Sequence, residues 1–184
     1  MAHLDRPEAQ DAHVTLEQLE GLTDGLIALT GGAEGALARL LAEEQVAAAS
    51  DYCDRLQVLF PQRLYVEISR RNDAVEEAAE KGLIDLAYAR DLPLVATNPA
   101  FFAEPEFFDA HDAMLCIADG EYVESPDRRH SSRDTWIKTG RQMQEVFADI
   151  PEALANTLVV AQRCAATAPK RSPILPSLAG DREG

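Results

Sequence analysis

The chain has 184 residues, 46% of them hydrophobic, and a net charge of −15. That is enough apolar material for one domain with a core. The acidic balance excludes a general phosphate-backbone binding surface. Cys53, Cys116 and Cys164 are far apart and odd in number, with no CxxC or Cys/His ligand spacing. They support neither a disulfide framework nor a zinc site, and they fit a reducing, cytoplasmic setting.

Residues 1–13 read as a polar lead-in without the apolar core of a signal peptide. No apolar run approaches the ~20 residues of a membrane span. Thr15-Leu16-Glu17-Gln18 has the form of a capping box and predicts a short helix with Leu16 and Leu19 on one face. Leu26 to Leu29 is a continuous apolar run, the mark of a strand covered on both faces. The glycines at 31, 32 and 35 follow it. They predict a tight βα turn rather than a phosphate cradle, since the spacing is neither GxGxxG nor a P-loop.

Helical periodicity runs from Ala36 to Phe60, with a break expected near Ala42–Glu44. Its apolar stripes are Leu37, Leu40 and Leu41, then Val46, Ala49, Cys53, Leu56 and Phe60. Leu64 to Ile68 reads as a second strand, and Asp73 to Arg90 as a second long helix. In that helix Val75, Ala79, Leu83 and Leu86 face inward. Glu76, Glu77, Glu80, Lys81 and Asp85 are expected in water, with Glu77 and Lys81 paired at i,i+4. Leu94 to Thr97 is the third strand, turning at Asn98-Pro99. Strands separated by helical crossovers form parallel sheets, and a strand end before a helix is where such folds keep their chemistry.

Glu106 to Ala118 reads as a helix and Ser125 to Ser132 as an exposed loop. Trp136 to Lys138 is a short extended piece. Thr139-Gly140-Arg141-Gln142 is a second capping box, starting a helix through Phe147. A last helix starts at Ile150-Pro151, with Ile150, Ala153, Leu154, Thr157, Leu158 and Ala161 as its buried stripe. From Ala165 the sequence is proline-containing and aperiodic, as in a tail or linker.

The most ligand-like cluster is Asp109, His111 and Asp112. Residues one or two apart on a helix do not share a face, so a structural histidine bonded to a nearby loop outweighs a metal ligand or base. His3, His13 and His130 lie in polar segments and carry little weight. Glu67, mid-strand among apolar neighbours, needs a partner, and Arg70 and Arg71 are near enough to supply an ion pair. No Ser/His/Asp arrangement, HExxH, DxD or HxH is present.

Val95-Ala96-Thr97-Asn98 and the run from Phe147 to Thr157, FADIPEALANT, resemble the bacterial DNA polymerase III α subunit family. Leu64 to Glu67, Ala110-His111-Asp112, Arg163-Cys164 and Ile174-Leu175-Pro176 extend the resemblance from about Val14 to Pro176. It implies the later part of that family's PHP (polymerase and histidinol phosphatase) domain. The expected fold is α/β: an incomplete (β/α) barrel of PHP type, three parallel strands followed by a helical segment. The implied division is lead-in 1–13, partial PHP-type domain 14–125, helical extension toward the polymerase core 126–164, and tail or linker 165–184.

Metal-binding relatives carry ligands at strand ends. The resemblance puts Pro99 and Phe101 where those relatives have Asp and His after the third strand. It puts Gly32 where some have Cys, and Arg71-Asn72 in place of a His-Gly. It thus implies no catalytic residue, metal or cofactor in this chain, although the parent polymerase would use Mg. The HxH-bearing first half of the barrel and the polymerase's catalytic aspartates have no counterpart here. Expected partners are the rest of the polymerase α chain and a proofreading exonuclease subunit, with DNA reached only through the holoenzyme and no membrane. The alternatives are a PHP-type metal-dependent phosphoesterase and a stand-alone protein-binding adaptor.

Overall fold

The structure is a computed structural model and describes residues 13–171. The sequence readings at 1–12 and from Ser172 onward lie outside the described residues.

Three strands form an open parallel sheet in the order β1-β2-β3. The central strand β2 (Leu64–Ser69) is buried at every position but Glu67. It pairs with β3 (Leu94–Thr97) from Val66↔Leu94 to Ser69↔Thr97. On its other side it pairs with β1 (Ala28–Leu29) at Ala28↔Leu64 and Leu29↔Tyr65. Each strand lies beside its predecessor, which is how an arc of a (β/α) barrel is laid down. The α/β class and the three expected parallel strands are therefore present, followed by helices.

The strand expected over Leu26–Leu29 is shorter and less covered. Leu26 and Leu29 are 49% and 39% exposed. β1 has one neighbour strand among the described residues, so its apolar run is covered from one side. An apolar run marks a strand suited to burial but does not say how many neighbours it has.

Helix α1 (Leu16–Leu19) is capped by Thr15 and Gln18 as a capping box, and Leu16 and Leu19 rest on the core. The long helical stretch divides into α2 (Ala36–Ala42) and α3 (Val46–Leu59). The break falls where expected, around Glu44 with φ 59°. Helix α4 (Ala74–Ala89) begins at Asp73, whose carboxylate accepts the amides of Val75 and Glu76. Leu37, Cys53, Leu64, Val66, Ile68 and Leu94 form the centre of the core between sheet and helices.

Three surface assignments need correction. Val46, placed on the buried stripe of α3, is 64% exposed because it starts the helix beyond the packed region. Glu76, expected in water, is 6% exposed. Lys81 pairs with Asp85 rather than with Glu77.

Beyond β3, Phe102 and Trp136 form a parallel bridge, confirming the extended piece there. A single 3-10 turn (Pro105–Phe107) leads into α5 (Phe108–Asp119), ended by Gly120 in the left-handed conformation. Helix α6 (Gly140–Val146) starts at the second capping box, formed by Thr139 and Gln142. Helix α7 (Pro151–Arg163) lies against β3. Phe147, Ile150 and Ala153 enter the core, but Leu158 is 68% exposed and Ala161 is exposed as well. The expected stripe of α7 is thus buried only in its first turns, where the sheet reaches it.

Arg70 ties these parts together. Its guanidinium donates to Glu80 on α4 at 2.7 and 2.9 Å, to Asp149 at 2.6 and 2.7 Å, and to the Val146 carbonyl at 2.6 Å. It also stands 4.9 Å from the centroid of the Phe147 ring. These hydrogen bonds hold Arg70 strongly protonated and keep the Asp149 carboxyl below the usual carboxylate range.

Candidate functional site at the strand ends

The turns after β1, β2 and β3 open on one side of the sheet, at the C-terminal ends of the strands. Between them, the start of α4 and the segment 129–135 lies a cleft of about 700 Å³. Arg39, Arg71, Arg129, His111 and His130 line it, together with Glu34 and Asp73.

The glycine turn after β1 has a packing role. A Cβ on Gly35 would stand 1.9 Å from the Thr30 carbonyl oxygen, so no other residue fits. The Gly31 amide, at φ 87°, donates to Glu67 Oε2 at 3.0 Å. The amide that could have faced a phosphate is taken by the protein's own carboxylate.

Glu67 also accepts from the Thr97 hydroxyl at 2.8 Å, on Oε1. The expected ion pair with Arg70 or Arg71 is absent. A backbone amide and a threonine satisfy this carboxylate, because both arginines are drawn to other acids. Arg71 turns to Glu76, with Nε 3.0 Å from Oε1, and its own backbone amide donates to Oε2 at 2.7 Å. The Ser69 hydroxyl completes the site, donating to Glu76 Oε1 at 2.5 Å. These partners explain why Glu76 is buried. Asp73-Ala74-Val75-Glu76 is an N-cap followed by an acid at the third helical position, a spacing that turns the acid back toward the preceding turn. That signal could have placed Glu76 from sequence.

Of the residues singled out after β3, Phe101 is 53% exposed and stacks on His111, with centroids 5.7 Å apart and planes at 14°. Phe102 meets the same imidazole at 5.5 Å. His111 is therefore held by two aromatic rings and not by a loop hydrogen bond. Gly32 is buried at φ 52°, and a Cβ there would lie 3.0 Å from Ser69 Oγ. Pro99 is half-buried in the turn.

The helix carrying Asp109, His111 and Asp112 sends those three side chains to different partners. Asp112 is 8% exposed and takes a two-pronged bond from Arg128, at 2.7 and 2.6 Å. Arg128 holds the Asp112 carboxyl below its ordinary range. Arg128 is 5% exposed in its side chain, so the segment expected as a free loop is pinned at that point. His130 Nδ1 lies 3.7 Å from Asp112, and Asp109 pairs with Arg133 at 3.4 Å. Residues 112 and 128 are linked by no local period, so sequence pattern alone could not pair them.

A strand-end metal would need three or more N, O or S donors converging on one point. Among the described residues, no group of three His, Cys, Asp or Glu side chains comes together in that way. Glu67, on the central strand, uses both oxygens within the fold. The described strand-end side chains offer no such donor set.

These features define a class: an open arc of a parallel (β/α) arrangement whose strand-end turns border a cleft, with the carboxylate of Glu67 bonded within the fold. No family model matches the chain. It is similar to DNA polymerase III subunit alpha of Caulobacter vibrioides, at 44% identity over 96% of this chain and 16% of that protein. It is 37% identical to the same subunit of Rickettsia bellii, over 91% of this chain and 14% of that protein. Against the subunit of Escherichia coli strain K12 the identity is 39%, over 79% of this chain and 13% of that protein. The chain spans 13–16% of the length of these curated relatives. It is homologous, over nearly its whole length, to one segment of the DNA polymerase III α subunit.

Proposed function

We propose that this chain is a metal-free scaffold segment of PHP type within a replicative DNA polymerase of the polymerase III α kind. Its work is contact: with the rest of that polymerase and with a proofreading exonuclease subunit, in the cytoplasm. DNA is reached through the assembled enzyme. No helix among the described residues is long and apolar enough to cross a membrane.

The observation that carries this reading is the state of the strand ends. Glu67 is bound by Gly31 and Thr97, Phe101 lies on His111, and Gly32 offers no donor side chain. A hydrolytic centre needs open ligand positions there. The cleft itself is the feature that favours the rival phosphoesterase, since its arginines could face a phosphate ester.

The test separates the two. The purified chain is incubated with zinc or manganese, desalted and assayed for bound metal, phosphate-ester hydrolysis and primer extension. The expected result is substoichiometric metal and no turnover in either assay. Stoichiometric metal with chelator-sensitive hydrolysis overturns the scaffold reading in favour of the phosphoesterase. Nucleotide incorporation above background overturns it as well.

A further inference from the structure

Helix α5, with the residue that precedes it, carries apolar side chains on two sides. Phe107, Ala110, Met114 and Ile117 recur at helical spacing along its outward side, and the three large ones are 53%, 66% and 81% exposed. Tyr122, just past the Gly120 cap, extends the stripe at 79% exposed. The side turned to the protein holds half-buried Phe108 and Leu115 and buried Cys116, together with one buried carboxylate, Asp112. Asp112 pairs with Arg128, Asp119 with Arg129 and Asp109 with Arg133, three ion pairs to one following segment. A surface helix ordinarily shows the inward stripe alone. Here Phe108, Leu115, Cys116 and the Arg128–Asp112 bond fix the helix, and the second apolar stripe stays uncovered.

The unpaired charge in the segment that carries this stripe is acidic. From Asp91 to Asp127 the sequence contains no lysine or arginine. Glu104, Glu106, Glu121 and Glu124 are exposed and join no ion pair. The arginines behind the helix are already engaged by its aspartates. A second copy of this chain would bring the same glutamates to the same rim, and like charges across an interface oppose it.

We propose that the outer face of α5 docks a basic amphipathic helix of a separate polypeptide. The partner's apolar stripe packs on Phe107, Met114 and Ile117, and its flanking lysines or arginines meet the four glutamates. The twelve residues of α5 offer it about 18 Å of length. The inference rests on the reading of this chain as a contact module and names one surface for that role.

The test uses the full chain and two synthetic helical peptides that share one leucine stripe, flanked in one by lysines and in the other by glutamates. Binding is read by fluorescence anisotropy, and the site by the methyl signals of Met114 and Met143. The lysine peptide is expected to bind saturably, to move Met114 and not Met143, and to weaken as salt rises. Ile117→Lys and Met114→Gln should each weaken it roughly tenfold with the thermal melt unchanged. The glutamate peptide should not bind. Equal binding of both peptides, no binding of either, or indifference to both substitutions overturns the proposal. Self-association abolished by Ile117→Lys would give the face to a second copy and also overturn it. So would shielding of Met114 in a longer polymerase α chain without peptide, which would assign the face to that chain. None of these outcomes alters the metal and primer-extension results that test the scaffold reading.

Discussion

The sheet and α5 solve the same problem in opposite ways. Around β2 the hydrocarbon is inside: Leu37, Leu64, Val66 and Ile68 are each at most 2% exposed. Around α5 a buried ion pair, Asp112–Arg128, stands beside Phe108, Leu115 and Cys116 inside, and the large side chains Met114 and Ile117 face out. The first region is held by burial, which is non-directional and insensitive to pH. The second is held in good part by charge, which responds to both pH and salt. A domain can thus contain one part built to be stable and another built to present a surface.

Substitutions can break this contrast. The largest effect is expected in the sheet region. Leu37→Ala removes a side chain with no exposed surface and should cost about 3 kcal/mol, read from urea unfolding. Gly35→Ala tests the same region by adding one carbon against the Thr30 carbonyl. It should cost about 2 kcal/mol or more in the same measurement. Either variant melting like the wild type would show that the glycine turn and core are looser than the distances imply.

Asp112→Ala is next. It leaves Arg128 without its carboxylate and should lower Tm by roughly 5 °C, with the loss confined to the α5 region in amide exchange.

The pH response sharpens the point. The carboxyls of Asp112 and Asp149 have folded pKa values below the ordinary one. Their stabilisation is therefore present above about pH 4 and is lost as pH falls through the folded values. Melts between about pH 5 and pH 2 should show Tm falling for the wild type. The fall should be shallower in the Asp112→Ala, Asp149→Ala double variant. Equal slopes would mean that these pairs do not contribute. Ile117→Lys should have the smallest effect, shifting Tm by less than about 1 °C, because its side chain lies in water.

Much of the sheet region was legible because its signals are local. Leu94–Thr97 is a strand with the bounds that its apolar run gives, and both threonine capping boxes start helices where they stand. The α2–α3 break fell at the expected residues. What was not legible depends on partners distant in sequence. Glu67 was read against its nearest arginines, yet its bonds come from Gly31 and Thr97, 36 and 30 residues away. Arg128 reads as an exposed loop residue because its partner, Asp112, is 16 residues away. Leu158 looked buried because periodicity reports a face, and the sheet ends before that face does.

The two edges of the sheet are finished differently. On β3 the Pro93 carbonyl serves β2, and the Leu94 carbonyl accepts from the Asn156 side-chain amide at 2.7 Å. That bond occupies an acceptor that an incoming strand would need, and α7 lies across the approach. β1 has no such cover among the described residues, and its Leu29 and the preceding Leu26 are open. A ribbon that accepts a neighbour on one side only can be completed but cannot be copied end to end. Asn156 and α7 together therefore close the β3 edge to a further strand.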